Sequence, residues 1–138
     1  MKILVDTNVI LDFFLSREPQ KEAVVKLFEK ICQASAEAYT TANSITDIYY
    51  ITAKRLGDYQ ARKVLRNLLN ILGIISIDGC DCIKALDLPI TDYEDALVVV
   101  CAKKENIEYI ISNDRDFLSV EPKFAHVISP DDFIKELY

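Results

Sequence analysis

Short runs of branched apolar residues, each followed by a helix-forming stretch, constrain this chain more than any other feature. Ile3, Leu4 and Val5 form the first run and stop at Asp6, after which TNVILDFFL reads as a helix with Thr7 or Asn8 near its start. Residues 38–42 (AYTTA), 74–77 (IISI) and 109–111 repeat the strand pattern, and 125–129 offers a fifth strand. Between them, Val24, Leu27, Phe28 and Ile31 fall at helical spacing within 20–35. Ser44 opens a further helix with Ile45, Ile48, Tyr49, Thr52 and Leu56 on one face and Gly57 as its stop. From Asp58 onward, Ala61, Val64, Leu65, Leu68, Leu69 and Leu72 give the clearest 3.6-residue period in the chain. After a DG turn at Asp78 and Gly79, residues 81–86 read as a short helix, and Thr91 to Glu94 (TDYE) has the form of a capping box for a helix reaching about Asn106. That helix is apolar on nearly every side from Ala96 to Ala102, so it is expected to be the most buried. Strands that alternate with helices require right-handed crossovers. The expected fold is therefore α/β, a three-layer α/β/α sandwich with a mostly parallel central sheet of about five strands and a short C-terminal helix.

Composition narrows the function. The 138 residues, 51% apolar, supply a core for one domain spanning 1–138 without metals or disulfides. A net charge of −6, from 16 basic and 22 acidic residues, argues against coating nucleic acid through bulk charge. Cys32, Cys80, Cys82 and Cys101 contain no CxxC, and His126 is the lone histidine. A structural zinc site, a Ser-His-Asp hydrolase and a two-histidine ribonuclease are all hard to assemble from that set. Cys80 and Cys82 read as half-buried loop thiols, and His126 as a surface residue. Nothing near the start resembles a secretion signal, and the apolar run 96–102 is far below the roughly 20 residues that span a bilayer, so a cytoplasmic protein without membrane contact is expected.

In an open parallel sheet, ligands bind at the carboxyl ends of the strands. The residues expected there are acidic. Asp6 follows the first strand, Asp114 and Asp116 follow the fourth, and Asp47 and Asp95 fall in the first turns of helices that start on the same rim. Clustered carboxylates repel one another and stay ionised at neutral pH only beside a compensating cation, which raises their pKa values when no cation is bound. Oxygen ligands without His or Cys suit Mg²⁺ or Mn²⁺, ions that neutralise a phosphate and acidify a water. Each residue also has a plainer reading. Ser44 to Asp47 (SITD) matches a capping box, Glu94 reads as a cap, Asp92 is favoured by the dipole at the helix start, and Asp6, Asn113, Asp114 and Asp116 are turn formers. Asp12 is expected on the solvated side of its helix. Asp95 is the exception, because it adjoins a wholly apolar stretch where an unpaired carboxylate is costly. Against the overall charge, Lys54, Arg55, Arg62, Lys63 and Arg66 outnumber Asp58 and give a local +4 that reads either as a solvated hairpin face or as a track for a phosphate backbone. Tyr49, Tyr50 and Tyr59 lie nearby, either to stack on bases or to pack.

KILVDTNVILD at the start, SITDIYYI in the middle, then DYEDAL and finally IISNDRDF with ISPDDF resemble the PIN-domain ribonucleases, above all the VapC-like toxins of toxin-antitoxin pairs. The resemblance spans essentially the whole chain, in order. It implies a divalent-metal-dependent endoribonuclease cutting single-stranded RNA regions, with Mg²⁺ or Mn²⁺ in an acidic pocket, a homodimer and an antitoxin partner. Matched by position, it makes Asp6 and Asp95 metal ligands, places Asp114 as the third, and leaves Asp116 to substitute or support. Asp47 stands where many relatives carry glutamate, one methylene longer, and would orient or deprotonate the attacking water. Asn8, Ser44, Asp92 and Ser112 are expected to support the ligands or touch substrate, and Ser112 and Asn113 replace a frequent Thr-Arg pair. Two other readings stay open. One is an aspartyl-phosphate phosphotransfer domain, receiver-like or phosphatase-like, although the phosphatase motif needs an acid where Asn8 stands. The other is an inactive RNA-binding or protein-binding module on the same fold.

Overall fold

β1 (Lys2–Val5) is the centre of the sheet, and everything that positions the acidic residues follows from that place. The computed structural model describes all residues 1–138. In chain order the elements are β1, α1 (Thr7–Phe14), α2 (Lys21–Cys32), β2 (Glu37–Thr41), α3 (Ala42–Leu56), α4 (Asp58–Ile71), β3 (Gly73–Ile75), α5 (Gly79–Leu86), α6 (Tyr93–Lys104), β4 (Tyr109–Ile111), α7 (Arg115–Leu118), β5 (Val127–Ile128) and α8 (Pro130–Leu137). Strand order is β3-β2-β1-β4-β5, and every neighbouring pair is parallel, with Leu4 opposite both Tyr39 and Ile110. The expected sheet of about five strands is present, and it is parallel throughout.

Successive side chains of β1 point to opposite faces. Ile3 and Val5 join Val9, Ile10, Leu27, Phe28, Ile48, Leu68 and Phe133 on one side of the sheet. Leu4 joins Val98, Val99, Cys101, Ile110 and Phe117 on the other. The first side is covered by α1 to α4 and α8, and the second by α6 and α7, which makes the three layers. The stretch Ala96 to Ala102 is buried at every residue, as its pattern demands. The chain builds outward from β1 through β2 to β3 and then crosses to β4 on the opposite flank. The order therefore reverses between β1 and β4, and a crevice opens at their carboxyl ends, beside Asp6 and Ser112.

Several local expectations need correction. Thr41, not Ser44, caps α3: its Oγ1 accepts from the Ser44 N–H at 3.3 Å, which leaves Asp47 outside any capping box. Asp92 caps α6 by accepting from the Asp95 N–H at 3.1 Å, so Thr91 and Glu94 form no box. The true capping box is at α5, where Asp78 and Asp81 bond each other's backbone N–H groups and Cys80 and Cys82 lie on the helix that follows. Asp12 is not solvated. It is only 6% exposed, because Arg17 and Asn113 cover it. His126 is exposed, as expected.

Candidate active site

Asp6 ends β1 and begins α1 at once, its Oδ1 accepting from the Thr7 N–H at 2.9 Å. Its Oδ2 accepts from the Ser112 hydroxyl at 2.9 Å and from the Asn8 side-chain amide at 3.2 Å. Ser112, wholly buried just beyond β4, also accepts from the Asp114 N–H at 3.0 Å. The end of β4 is thus fixed against the end of β1 through one hydroxyl. Asp114 caps α7 by accepting from the Asp116 N–H at 3.0 Å, so the turn that makes it a cap also holds its carboxylate at the crevice. On the far side, the Ser44 hydroxyl is bonded by Thr7 Oγ1 at 2.7 Å and lies 3.0 Å from Thr41 Oγ1, which ties the start of α3 to α1. Asp47, one turn further along α3, faces Glu94 of α6.

The electrostatics show which carboxyl groups share the crevice. Burial raises the Asp6 carboxyl above the ordinary range, hydrogen bonds from Ser112 and Thr7 oppose this, and the Asp114 charge adds to it. Burial pushes Asp95 up to about 7, and Asp92, Asp6, Asp114 and Glu94 push in the same direction. Glu94 also reaches about 7, first from desolvation and then from a hydrogen bond and charge repulsion with Asp47. Six carboxyl groups from β1, α3, the α6 start and the β4–α7 turn therefore act on one another. Glu94, read from sequence as a cap, belongs to this group, and only the position of the true cap would have revealed it. Asp116 is exposed and lines, with Asp92 and Asp95, a cleft of about 840 Å³ that extends to Lys123 and Phe124.

The set offers only oxygen donors and an excess of negative charge that raises the Asp6, Glu94 and Asp95 carboxyls, which fits a hard divalent cation. No three acidic side chains are spaced to hold an ion as they stand. The site therefore presents the charge and ligand type for a metal rather than a finished cage. The basic residues of the α3–α4 hairpin form a separate exposed set. Lys54 and Arg55 are exposed in the last turn of α3, about 11 Å along the helix from Asp47, and Lys63 and Arg66 are exposed on α4. Arg62 is bound to Asp58 at 2.9 Å, and Tyr49 also bonds Asp58.

A parallel α/β sandwich with an acidic crevice at the switch point of its sheet defines a class of phosphate-handling domains. Within that class, residues 2–116 match the PIN domain model. The chain is 32% identical over 123 residues to Ribonuclease VapC1 of Aquifex aeolicus, covering 86% of this chain and 85% of that protein. It belongs to the PIN-domain family. Among solved structures, its fold matches VapBC2 from Rickettsia felis bound to a promoter DNA fragment, with a TM-score of 0.70 at 16% identity over 94% of this chain and 98% of that one. It also matches Mycobacterium tuberculosis VapC20, a toxin that cleaves the sarcin-ricin loop, with a TM-score of 0.63 at 17% identity over 83% and 92% of the two chains.

Proposed function

We propose that this chain is an endoribonuclease of the toxin-antitoxin type, with Asp6, Asp95 and Asp114 as its metal-holding centre. The ribonuclease class follows from the family and from the ribonuclease with which it shares 32% identity. The observation that carries the site is that the Asp6 and Asp95 carboxyls are both raised, each in part by the charge of Asp114, which lies 108 positions from Asp6. Divalent metal ions are general to PIN-domain ribonucleases, and Mg²⁺ or Mn²⁺ is the pair that an all-oxygen donor set selects. When bound, such an ion supplies charge neutralisation at the scissile phosphate and acidifies a water nucleophile.

The chain's own residues do the rest. Asp6, held by three donors, and Asp95, anchored in the most buried helix, keep fixed positions while substrate enters. Asp47 and Glu94, the latter pushed up to about 7 by burial and by its hydrogen bond with Asp47, orient the attacking water, and Glu94 accepts its proton. Ser112 and Asn8 hold Asp6 and Asp114 in register, Ser44 fixes α3 against α1, and Asp116 and Asp92 border the cleft along which the RNA leaves the centre. Lys54, Arg55, Lys63 and Arg66 contact more distant phosphates, where Arg62 is already engaged. Toxin–antitoxin complexes are among the matching solved structures, which supports an antitoxin partner, and the reading includes a homodimer. No helix is long and apolar enough to cross a membrane. A phosphotransfer role is disfavoured because Asn8 spends its side chain holding Asp6 and Ser112 rather than serving as a second acid.

The test is cleavage of a mostly single-stranded RNA pool with Mn²⁺, Mg²⁺ or EDTA, run beside the Asp6→Asn variant. Cutting that needs the metal and is lost in the variant supports the assignment. Equal cutting by both proteins refutes the site.

A further inference from the structure

A second recess opens beside the acidic centre. It is shallow, about 390 Å³, and polar throughout, with the carboxylates Asp12, Glu18 and Asp114 beside Asn8, Arg17 and Asn113 on its walls. Arg17 is the single cation among them, and three features fix it there. Ser16 turns the chain back with φ 51°, and the Arg17 N–H donates to the Asp12 carbonyl at 3.0 Å. The guanidinium Nε donates to Asp12 Oδ1 at 2.9 Å. One terminal nitrogen reaches the Asn8 carbonyl at 3.5 Å. A guanidinium carries five N–H donors in a rigid fork, so this arrangement leaves donors free, and the side chain is 36% exposed.

Asp12 explains why the fork points where it does. Its carboxylate is buried in α1, with Oδ1 taken by Arg17 and Oδ2 by the Asn113 side-chain amide at 2.8 Å. Asn113 in turn donates its backbone N–H to Asn8 Oδ1 at 3.0 Å, and the Asn8 amide donates to Asp6. One continuous chain of hydrogen bonds therefore runs from Arg17 through Asp12, Asn113 and Asn8 to Asp6. A buried carboxylate with both oxygens filled holds a guanidinium in one orientation, and so spares a ligand the entropy of ordering it.

We propose that this recess is a phosphate subsite for the RNA strand, with Arg17 contacting a phosphodiester next to the one being cut and Asp12 positioning Arg17. The proposal rests on the ribonuclease reading. It also supplies what six neighbouring carboxylates lack, a fixed donor for an anionic strand. Asp12, Glu18 and Asp114 share the recess with Arg17, so the recess carries no net positive charge and recognition here is local and bidentate rather than a matter of long-range attraction.

Binding is the test, because it is measured without cleavage. A short fluorescent single-stranded RNA is titrated with protein in EDTA, first unmodified and then with one linkage at a time replaced by a neutral methylphosphonate. Wild type is expected to lose about tenfold at one linkage. Arg17→Ala is expected to lose about tenfold on unmodified RNA and nothing further at that same linkage, which is the coupling of a direct contact. Arg17→Lys, which keeps the charge without the fork, falls between them and guards against a variant that merely unfolds. Unchanged affinity in Arg17→Ala, an equal further loss at every linkage, or no RNA binding by wild type would overturn the subsite. A wild type that cuts RNA with Mn²⁺ while Arg17→Ala binds normally overturns the subsite alone, whereas cutting that survives Asp6→Asn counts against the nuclease centre.

Discussion

Asp95 sits in the first turn of α6, 9% exposed, immediately before seven consecutive buried residues. That position makes its charge costly, and the neighbouring acids raise the cost until the group titrates near pH 7 instead of near the usual 3.8. An acid whose pKa is higher folded than unfolded binds more protons in the folded state between the two values, so folding stability falls as pH rises through that window. With EDTA present, thermal melts are therefore expected to show stability declining from about pH 4 to about pH 7. Asp95→Asn removes the cost, flattens that decline, and raises the neutral-pH stability of the metal-free protein by on the order of 1–2 kcal/mol while abolishing cleavage. A decline as steep in the variant as in wild type would place the titration elsewhere. Asp95 was legible because a carboxylate beside an apolar run needs a reason. Asp12 and Glu94 were not, since the burial of one depends on Asn113 and the partner of the other on Asp47, contacts that helical spacing does not encode.

The elements were read more reliably in their interiors than at their ends. A clean apolar period fixes which face of α4 packs, with Ala61 and Leu68 fully buried although Leu69 of the same set is exposed, but helix starts depend on which of several polar residues turns its side chain inward. At α3 the cap is Thr41, read from sequence as part of the second strand, and at α6 it is Asp92, read as a residue favoured by the helix dipole. Replacing Asp92 by Ala is expected to cost about 1 kcal/mol through the lost cap, measured by urea denaturation. Phe117 offers a sharper test of how packing supports the site. Its ring is wholly buried in the four-residue helix α7 that Asp114 caps, against the layer containing Val98, Val99 and Ile110. Phe117→Ala is expected to cost roughly 3–5 kcal/mol and to reduce RNA cleavage more than RNA binding, because Asp114 loses its fixed turn. Equal losses in both would mean that α7 supports the substrate surface rather than the centre. At Gly73, an added Cβ would stand 2.7 Å from the Tyr39 ring, so Gly73→Ala forces that ring to move and costs about 1–3 kcal/mol.

At the scale of the whole molecule, the sheet order does what no single element can: it reverses between β1 and β4 and so brings Asp6 and Asp114 to one crevice. This was foreseeable because alternation of strands and helices leaves few topologies, and strand-end acids have only one rim to share. The recess around Arg17 was not foreseeable, since it depends on a turn at Ser16 that brings the chain back on α1. The crevice makes the fold itself responsive to metal. An ion that binds the folded chain and not the unfolded one stabilises by RT ln(1 + [L]/Kd), about 2.7 kcal/mol at one hundred times Kd. That ion must also displace the protons that Asp95 and Glu94 hold near pH 7, so its effect is coupled to pH. Mn²⁺ is accordingly expected to raise the melting temperature more at pH 8 than at pH 6, which is opposite to the trend of the metal-free protein, whose stability falls over the lower part of this range. In Asp95→Asn the increment shrinks at both pH values and its pH dependence flattens, because a ligand and a competing proton site disappear together. Thermal melts of both proteins, with Mn²⁺ or EDTA at each pH, read all of these outcomes. An increment independent of pH, or one retained in full by Asp95→Asn, would mean that the ion binds away from this crevice and that the six carboxylates serve something other than metal-assisted cleavage.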